Sequence, residues 1–440
     1  DALKVAARGF RGKATLEESS THSAHFGSFL SPEGNRLDDV VATVFREPHS
    51  YTGENVVEIS CHGGIYVTRR ILEALLEYGA RHAQPGEFTK RAFLSGKMDL
   101  SQAEAVADLI HSRSEASRRS SFQQLQGVLS TRITGLRENL IRTAGLLELE
   151  LDFVEDGIEF TDKKAVTGQV KNAQTEVADL LSTYQAGKIV REGVRVVLAG
   201  MPNVGKSSIL NALLSENRAI VTDVPGTTRD VIEEGIVIEG HLFNVVDTAG
   251  LRETVDLVEK EGVRRSHDQV RNSDLLLLVF DSSKMPSAEE LELVKRLLTG
   301  MKRDTTPCLS VLNKIDLAAQ LNGDLSRIMD SLALQGTVRI SAKTGQGMSD
   351  LKKALFDVII RTAGKGAPES PTVTNARHYD ALTRAKQSLE LSLTSLREGR
   401  SSEFVSVDLR DALDSLGEIV GVVTTEDILN EIFSKFCIGK

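Results

Sequence analysis

Lys206 and Ser207 end the run Gly200-Met-Pro-Asn-Val-Gly205-Lys206-Ser207, a GxxxxGK[ST] spacing whose residue types suit a bound polyphosphate. Its glycines let backbone N–H groups close around phosphate oxygens, and a helix opening at Lys206 adds the positive end of its dipole. The Lys206 ammonium can reach β- and γ-phosphate oxygens, and the Ser207 hydroxyl is a hard ligand for Mg²⁺. Asn203, Val204, Gly205 and Ser208 read as part of the same nucleotide-binding loop. Three further segments follow in order. Asp247-Thr-Ala-Gly250 offers a carboxylate as an outer anchor for Mg²⁺ and an N–H at Gly250 for the γ-phosphate. Asn313-Lys314-Ile-Asp316 offers a carboxylate that can accept both N–H donors of a guanine edge; adenine would leave it unpaired, so the nucleotide expected is GTP. Ser341-Ala342-Lys343 closes the base pocket.

These segments need strand ends and helix starts to hold them. Short β-rich runs at Val194 to Ala199, Leu242 to Val246, Leu275 to Phe280, Cys308 to Leu312 and Thr337 to Ile340 precede polar or glycine-rich turns, and several are followed by a helical pattern. That is the texture of a parallel α/β unit. On either side the texture changes, because no proline occurs between Pro85 and Pro202 or after Pro371. Leu129, Ile133, Leu136, Leu140, Leu147 and Leu151 recur at helical spacing in the first stretch, as do Leu382, Ala385, Leu389, Leu393 and Leu396 in the second. Neither stretch can cover its apolar stripe alone, so the two are expected to form one bundle into which the α/β unit is inserted. The expected fold class is multidomain, with an N-terminal α+β domain, an all-α helical bundle and an inserted α/β P-loop GTPase domain. Its boundaries fall at 1–95 for the α+β unit, 96–190 with 370–440 for the helices, and 191–369 for the G domain.

The 440 residues exceed what one core usually serves. A formal charge of −9 argues against broad, non-specific coating of nucleic acid, though a local basic patch is compatible with it. No apolar run approaches the length of a membrane span, so no membrane association is expected. Cys61, Cys308 and Cys437 are scattered without metal-ligand spacing, as in a reducing compartment. A cytoplasmic location is expected, with an organellar one left open because the chain starts at Asp1 without a methionine.

The position after the Asp-x-x-Gly turn, where many small GTPases carry a water-orienting glutamine, is Leu251. An aliphatic side chain cannot orient water, and Arg229, Arg252, Arg264 and Arg265 read first as solvated charge. Pro202-Asn203-Val-Gly-Lys-Ser-Ser208, Gly226-Thr227-Thr228-Arg229-Asp230 and Asp247-Thr-Ala-Gly-Leu-Arg252 together resemble the TrmE-Era superfamily of P-loop GTPases. Pro48-His-Ser-Tyr-Thr-Gly-Glu54, His62-Gly-Gly64, Pro85-Gly-Glu-Phe-Thr-Lys-Arg-Ala-Phe93, Asp99-Leu-Ser-Gln-Ala-Glu-Ala105 and Phe436-Cys-Ile-Gly-Lys440 narrow the resemblance to the MnmE (TrmE) family of tRNA modification GTPases, over nearly the whole chain.

That resemblance implies a K⁺ held against the phosphates by the Asn203 side chain, the carbonyls of Thr222 and Val224, and Thr227. It implies Thr228 as a Mg²⁺ ligand beside Ser207, Glu259 as the water-orienting catalytic carboxylate, and hydrolysis fired when two G domains of a homodimer meet. Read from the sequence alone, Glu259 is one acid of a charged helix. The family's task is modification of wobble uridine in tRNA at C5, with a flavin-containing MnmG/GidA-like partner and a tetrahydrofolate derivative as one-carbon donor. Residues 1–95 resemble its folate-binding and dimerising domain; members begin with a further strand and glycine-containing loop before the position of Asp1, so folate ligands are left unassigned. Cys437 stands where the family places a cysteine suspected of redox or modification work, and reads equally as a small apolar residue near a helix end. Two alternatives stay open: a GTP-gated dimer scaffold whose partner does all the modification, and an Era-like ribosome-assembly GTPase, disfavoured because no KH-like Gly-x-x-Gly clamp follows the G domain.

Overall fold

A computed structural model describes residues 2–152, 163–217, 233–247, 269–271, 273–299, 306–317, 334–363, 373–436 and 439. Within it the chain divides into two compact units, residues 1–107, 124–170 and 387–440 in one and 108–123 with 171–386 in the other.

The first unit opens with helix α1 (Ala2–Gly9) and an antiparallel meander of β1 (Phe10–Gly12), β2 (Ser23–Leu30), β3 (Arg36–Phe45) and β4 (Val56–Ser60), in that order across the sheet. Along β3, Val40, Ala42 and Val44 alternate with more exposed residues and meet Phe29 of β2 in the core. That alternation is what a sheet with one covered face requires. The cover comes from Leu3 and Ala6 of α1 and from Ile71 and Ala74 of α2 (Ile65–Glu77).

After α3 (Glu87–Leu94) and α4 (Leu100–Ile110), α5 (Glu115–Leu125) leads to the long α6 (Val128–Asp152). Leu129, Ile133, Leu136, Leu140 and Leu147 of α6 are all buried, as their spacing asks. Helix α13 (Ser402–Val420) packs along α6, with Arg137 Nε donating to the Leu413 carbonyl over 3.3 Å. It ends at Gly421, whose φ of 82° is open to glycine and where a Cβ would sit 2.8 Å from the Phe93 ring. Thr425 then caps α14 (Glu426–Ser434), accepting from the Ile428 N–H at 3.4 Å. Leu429 and Phe433 of α14, with Phe436 beyond it, bury against Leu100 and Ala103.

After α7 (Lys163–Ser182), α8 (Tyr184–Glu192) of the second unit precedes a six-stranded sheet of β5 (Val194–Ala199), β6 (Glu233–Ile238), β7 (His241–Asp247), β8 (Leu275–Asp281), β9 (Cys308–Asn313) and β10 (Thr337–Arg339). The spatial order is β10-β9-β8-β5-β7-β6, parallel except where β6 pairs antiparallel with β7. Every residue of β8 and β9 is buried, which explains why both read as largely apolar runs, broken in β9 only by Ser310 before the polar last residue of each, and not as alternation. Helices α9 (Lys206–Asn217), α10 (Ala288–Thr299) and α11 (Met348–Ala363) accompany the sheet, and α12 (Ala376–Arg397) follows it. Leu382, Ala385, Leu389 and Leu393 of α12 are buried. The α+β, helical and parallel α/β regions expected from sequence are all present. Among the described residues no helix is long and apolar enough to cross a membrane.

Strand β5 has β7 on one side and β8 on the other, so the chain leaves it in one direction and later returns on the opposite side. Such a reversal opens a crevice at the carboxyl end of the strand, where ligands of open α/β sheets sit.

Candidate nucleotide site

The crevice is built from strand ends. Asp247, Asp281 and Asn313 are the last residues of β7, β8 and β9, and the glycine-rich loop Gly200–Gly205 leaves β5 between them. Helix α9 begins at Lys206, so its N-terminus faces the loop it follows.

Two consecutive residues, the last of β9 and the one after it, hold two consecutive carbonyls of that loop. Asn313 Nδ2 donates to the Val204 carbonyl over 2.9 Å, and Lys314 Nζ donates to the Asn203 carbonyl over 2.7 Å. Asn313 also accepts the Ala342 N–H on Oδ1 at 3.0 Å, so one buried carboxamide joins the phosphate loop to the Ser341-Ala342-Lys343 turn. The closeness has a steric consequence at Gly205. Its φ is 99°, and a Cβ there would lie 2.2 Å from Asn313 Nδ2.

Asn203 itself has φ 64°, a left-handed conformation uncommon for a non-glycine residue, and its side chain is exposed. Lys206 is buried and donates to the carbonyls of Gly200 at 2.9 Å and Met201 at 3.0 Å, which holds its ammonium across the mouth of the loop. Ser207 Oγ donates to Asp247 Oδ2 over 2.7 Å. A hydroxyl and a carboxylate meeting beside a phosphate-binding loop are hard oxygen donors, the kind Mg²⁺ prefers, so these residues fit that ion. On the base side, the buried Ser341 hydroxyl donates to Asp316 Oδ1 at 2.6 Å and accepts the Thr344 N–H at 3.2 Å. This fixes one carboxylate oxygen of Asp316 on a residue that is otherwise exposed.

Sequence reasoning missed Asp281. It is 8% exposed and pairs with Lys314 through Oδ2 at 2.7 Å, while Oδ1 accepts both the Ser283 hydroxyl at 2.6 Å and the Ser283 N–H at 3.0 Å. Burial pushes its carboxyl up, but the Lys314 ammonium and the two Ser283 donors outweigh that and hold it below the usual carboxylate range. The available signal was an acid closing an all-apolar run at the carboxyl edge of a parallel sheet.

The structure therefore brings together Asn203, Val204, Gly205, Lys206, Ser207, Asp247, Asn313, Lys314, Asp316, Ser341 and Ala342. Ser208 lies exposed on the first turn of α9, and Lys343 is exposed in the turn after Ala342. Thr222, Val224, Thr227, Thr228, Gly250, Glu259 and Cys437 lie outside the described residues. Cys61 is half-buried and Cys308 is buried in β9, where burial pushes its thiol up to about 12.

Comparison with known proteins gives this geometry a family. The model of the MnmE helical domain matches residues 100–437, and that of the GTP-binding protein TrmE N-terminus matches residues 1–97. The tRNA modification GTPase MnmE of Chlorobaculum tepidum is 43% identical over 441 residues, covering 100% of this chain and 92% of its own. Its counterpart in Salinibacter ruber is 42% identical, covering 100% and 94%. Among solved structures, the G domain of the T. maritima FeoB iron transporter aligns over 38% of this chain and 99% of its own at 26% identity, with a TM-score of 0.29, too low to add to the sequence relationship. With identity sustained from end to end and the strand-end constellation in place, the chain belongs to the MnmE family of tRNA modification GTPases and is a P-loop GTP hydrolase.

Proposed function

We propose that this chain hydrolyses GTP in a K⁺-dependent reaction that is switched on when the G domains, residues 191–369, of a homodimer meet. Its task is C5 modification of wobble uridine in tRNA, carried out with a flavin-containing MnmG/GidA-like partner and a tetrahydrofolate derivative as one-carbon donor. The observation that carries the cation reading is Asn203, held left-handed by Lys314 on its own carbonyl while its side chain stays exposed at the phosphate loop.

The triphosphate would lie along Asn203 to Ser208, with the α9 N-terminus and backbone N–H groups drawing its charge. Lys206 would exchange its bonds to the Gly200 and Met201 carbonyls for phosphate oxygens without travelling far. Ser207 and Thr228 would hold Mg²⁺, with Asp247 orienting the Ser207 hydroxyl. Asn203, Thr222, Val224 and Thr227 would hold K⁺. These ions, when bound, supply positive charge against the negative charge that develops between the β- and γ-phosphates. Asp316 would read guanine, steadied by Ser341, with Asn313, Lys314, Ala342 and Lys343 framing the base pocket. Glu259 would orient the water that attacks the γ-phosphorus, and Gly250 would offer its N–H to the same phosphate; the products are GDP and inorganic phosphate. Residues 1–95 would bind folate and dimerise, and Cys437 is the candidate for redox or modification work.

The test is GTP hydrolysis at fixed ionic strength in KCl and in NaCl, over a range of protein concentrations. Turnover per molecule that needs K⁺ and rises with concentration supports the reading. Turnover that is slow and indifferent to both ends the cation and dimerisation parts of it.

A further inference from the structure

Lys314 stands between two groups that no shared motif connects. One of its three donors reaches the Asn203 carbonyl at 2.7 Å and another reaches Asp281 Oδ2 at 2.7 Å. Asp281 is in turn clamped, because its second oxygen accepts both the hydroxyl and the N–H of Ser283. The anchor is rigid for a further reason: β8, which Asp281 ends, is buried along its whole length and lies between β5 and β9. A contact path therefore runs from a fixed strand end, through one ammonium, to the peptide whose left-handed turn presents the Asn203 side chain. Asparagine tolerates left-handed backbone better than most residues with a β-carbon, and a donor on its carbonyl fixes which way that turn faces.

We propose that Asp281 is a positioning residue for GTP turnover: by keeping Lys314 on the Asn203 carbonyl it makes the base-side loop and the Asn203 turn move as one. Occupation of the base pocket and capture of a monovalent cation at Asn203 are then coupled through Lys314. The cation half of this inference rests on the K⁺ reading above; the loop half does not.

Removing the charge at Asp281 leaves Lys314, whose side chain is 30% exposed, free to turn to solvent, and the Asn203 carbonyl loses its donor. Asp281→Asn is the isosteric test, and Ser283→Ala, which takes the hydroxyl from the carboxylate and leaves the N–H, is the milder second variant should the first fail to fold. Two readouts are needed. In nucleotide-free protein, amide hydrogen exchange of a peptide spanning residues 200–209 is expected to quicken in both variants, more in Asp281→Asn. In GTP hydrolysis, the K⁺ concentration for half-maximal rate is expected to rise about tenfold in Asp281→Asn, in the range typical of losing a residue that orients a metal ligand. Unchanged exchange overturns the positioning role. Faster exchange with an unmoved K⁺ midpoint overturns the coupling. A wild-type protein indifferent to K⁺ defeats the cation reading by itself, and the exchange result still decides whether Asp281 holds the loop.

Discussion

Ser207 Oγ and Asp247 Oδ2 are 2.7 Å apart, so the first turn of α9 and the last residue of β7 share a hydrogen bond at the mouth of the phosphate loop. A carboxylate so placed orients the hydroxyl that would ligate Mg²⁺. Asp247→Asn keeps the volume and loses the charge, and the Mg²⁺ concentration for half-maximal GTP hydrolysis is expected to rise by about 10- to 100-fold. A Mg²⁺ titration of phosphate release measures it, and an unmoved midpoint would remove Asp247 from the ion's surroundings.

Gly205→Ala should separate nucleotide binding from folding. The added carbon would lie 2.2 Å from Asn313 Nδ2, at a φ of 99°. Relief requires the loop to shift and the Asn313 bond to Val204 to break, at a cost on the order of 1–3 kcal/mol. Affinity for a fluorescent GDP is expected to fall about 10- to 100-fold, since each 1.4 kcal/mol is a factor of ten. Circular dichroism should stay unchanged, because the strain is confined to one loop and its Asn313 contact.

Base choice should move with Asp316. With Ser341 donating to one of its oxygens, the carboxylate is steadied to accept two N–H groups from guanine. Asp316→Asn places a donor where an acceptor is needed, and kcat/KM for GTP is expected to drop by on the order of 10⁴-fold while hydrolysis of XTP, which offers a carbonyl there, rises. Retained preference for GTP in the variant would refute the role.

Acid sensitivity of the first unit should depend on Glu87. The Arg81 guanidinium beside it lowers its carboxyl from 4.5 to about 2, with burial opposing and the Gln84 N–H and Arg91 assisting. Because the folded value is depressed, the contribution is complete above the unfolded value of 4.5 and is lost as pH falls toward about 2. The urea midpoint of the wild type should decline more steeply than that of Glu87→Gln between pH 5 and pH 3. Parallel declines would show that Glu87 takes no part.

Much of the fold was legible because its signals are local. The stripe through Ile133 and Leu140 and the one through Leu382 and Leu389 named buried helix faces, and the apolar run Leu275 to Phe280 named a strand. The nucleotide loops were legible for the same reason, since each is a few residues at a strand end. What escaped depends on register. Asp281 and Asn313 are register partners of β8 and β9, and only that pairing delivers Lys314, one residue on, to the carboxylate. Likewise, the room denied to a side chain at Gly205 is set by Asn313, far along the chain.

Leu429, Phe433 and Phe436 bury against Leu100 and Ala103, and residues 387–440 belong to the same compact unit as residues 1–107. On the ribosome this imposes an order of events. The segment 171–386, with the phosphate loop and all of its strands, emerges before the helices that complete the first unit exist. The early residues must therefore wait, with Leu100 and its neighbours uncovered, through the synthesis of an entire nucleotide-binding fold. The residues of the nucleotide site are therefore all synthesised before Leu100 can meet Leu429 and Phe433.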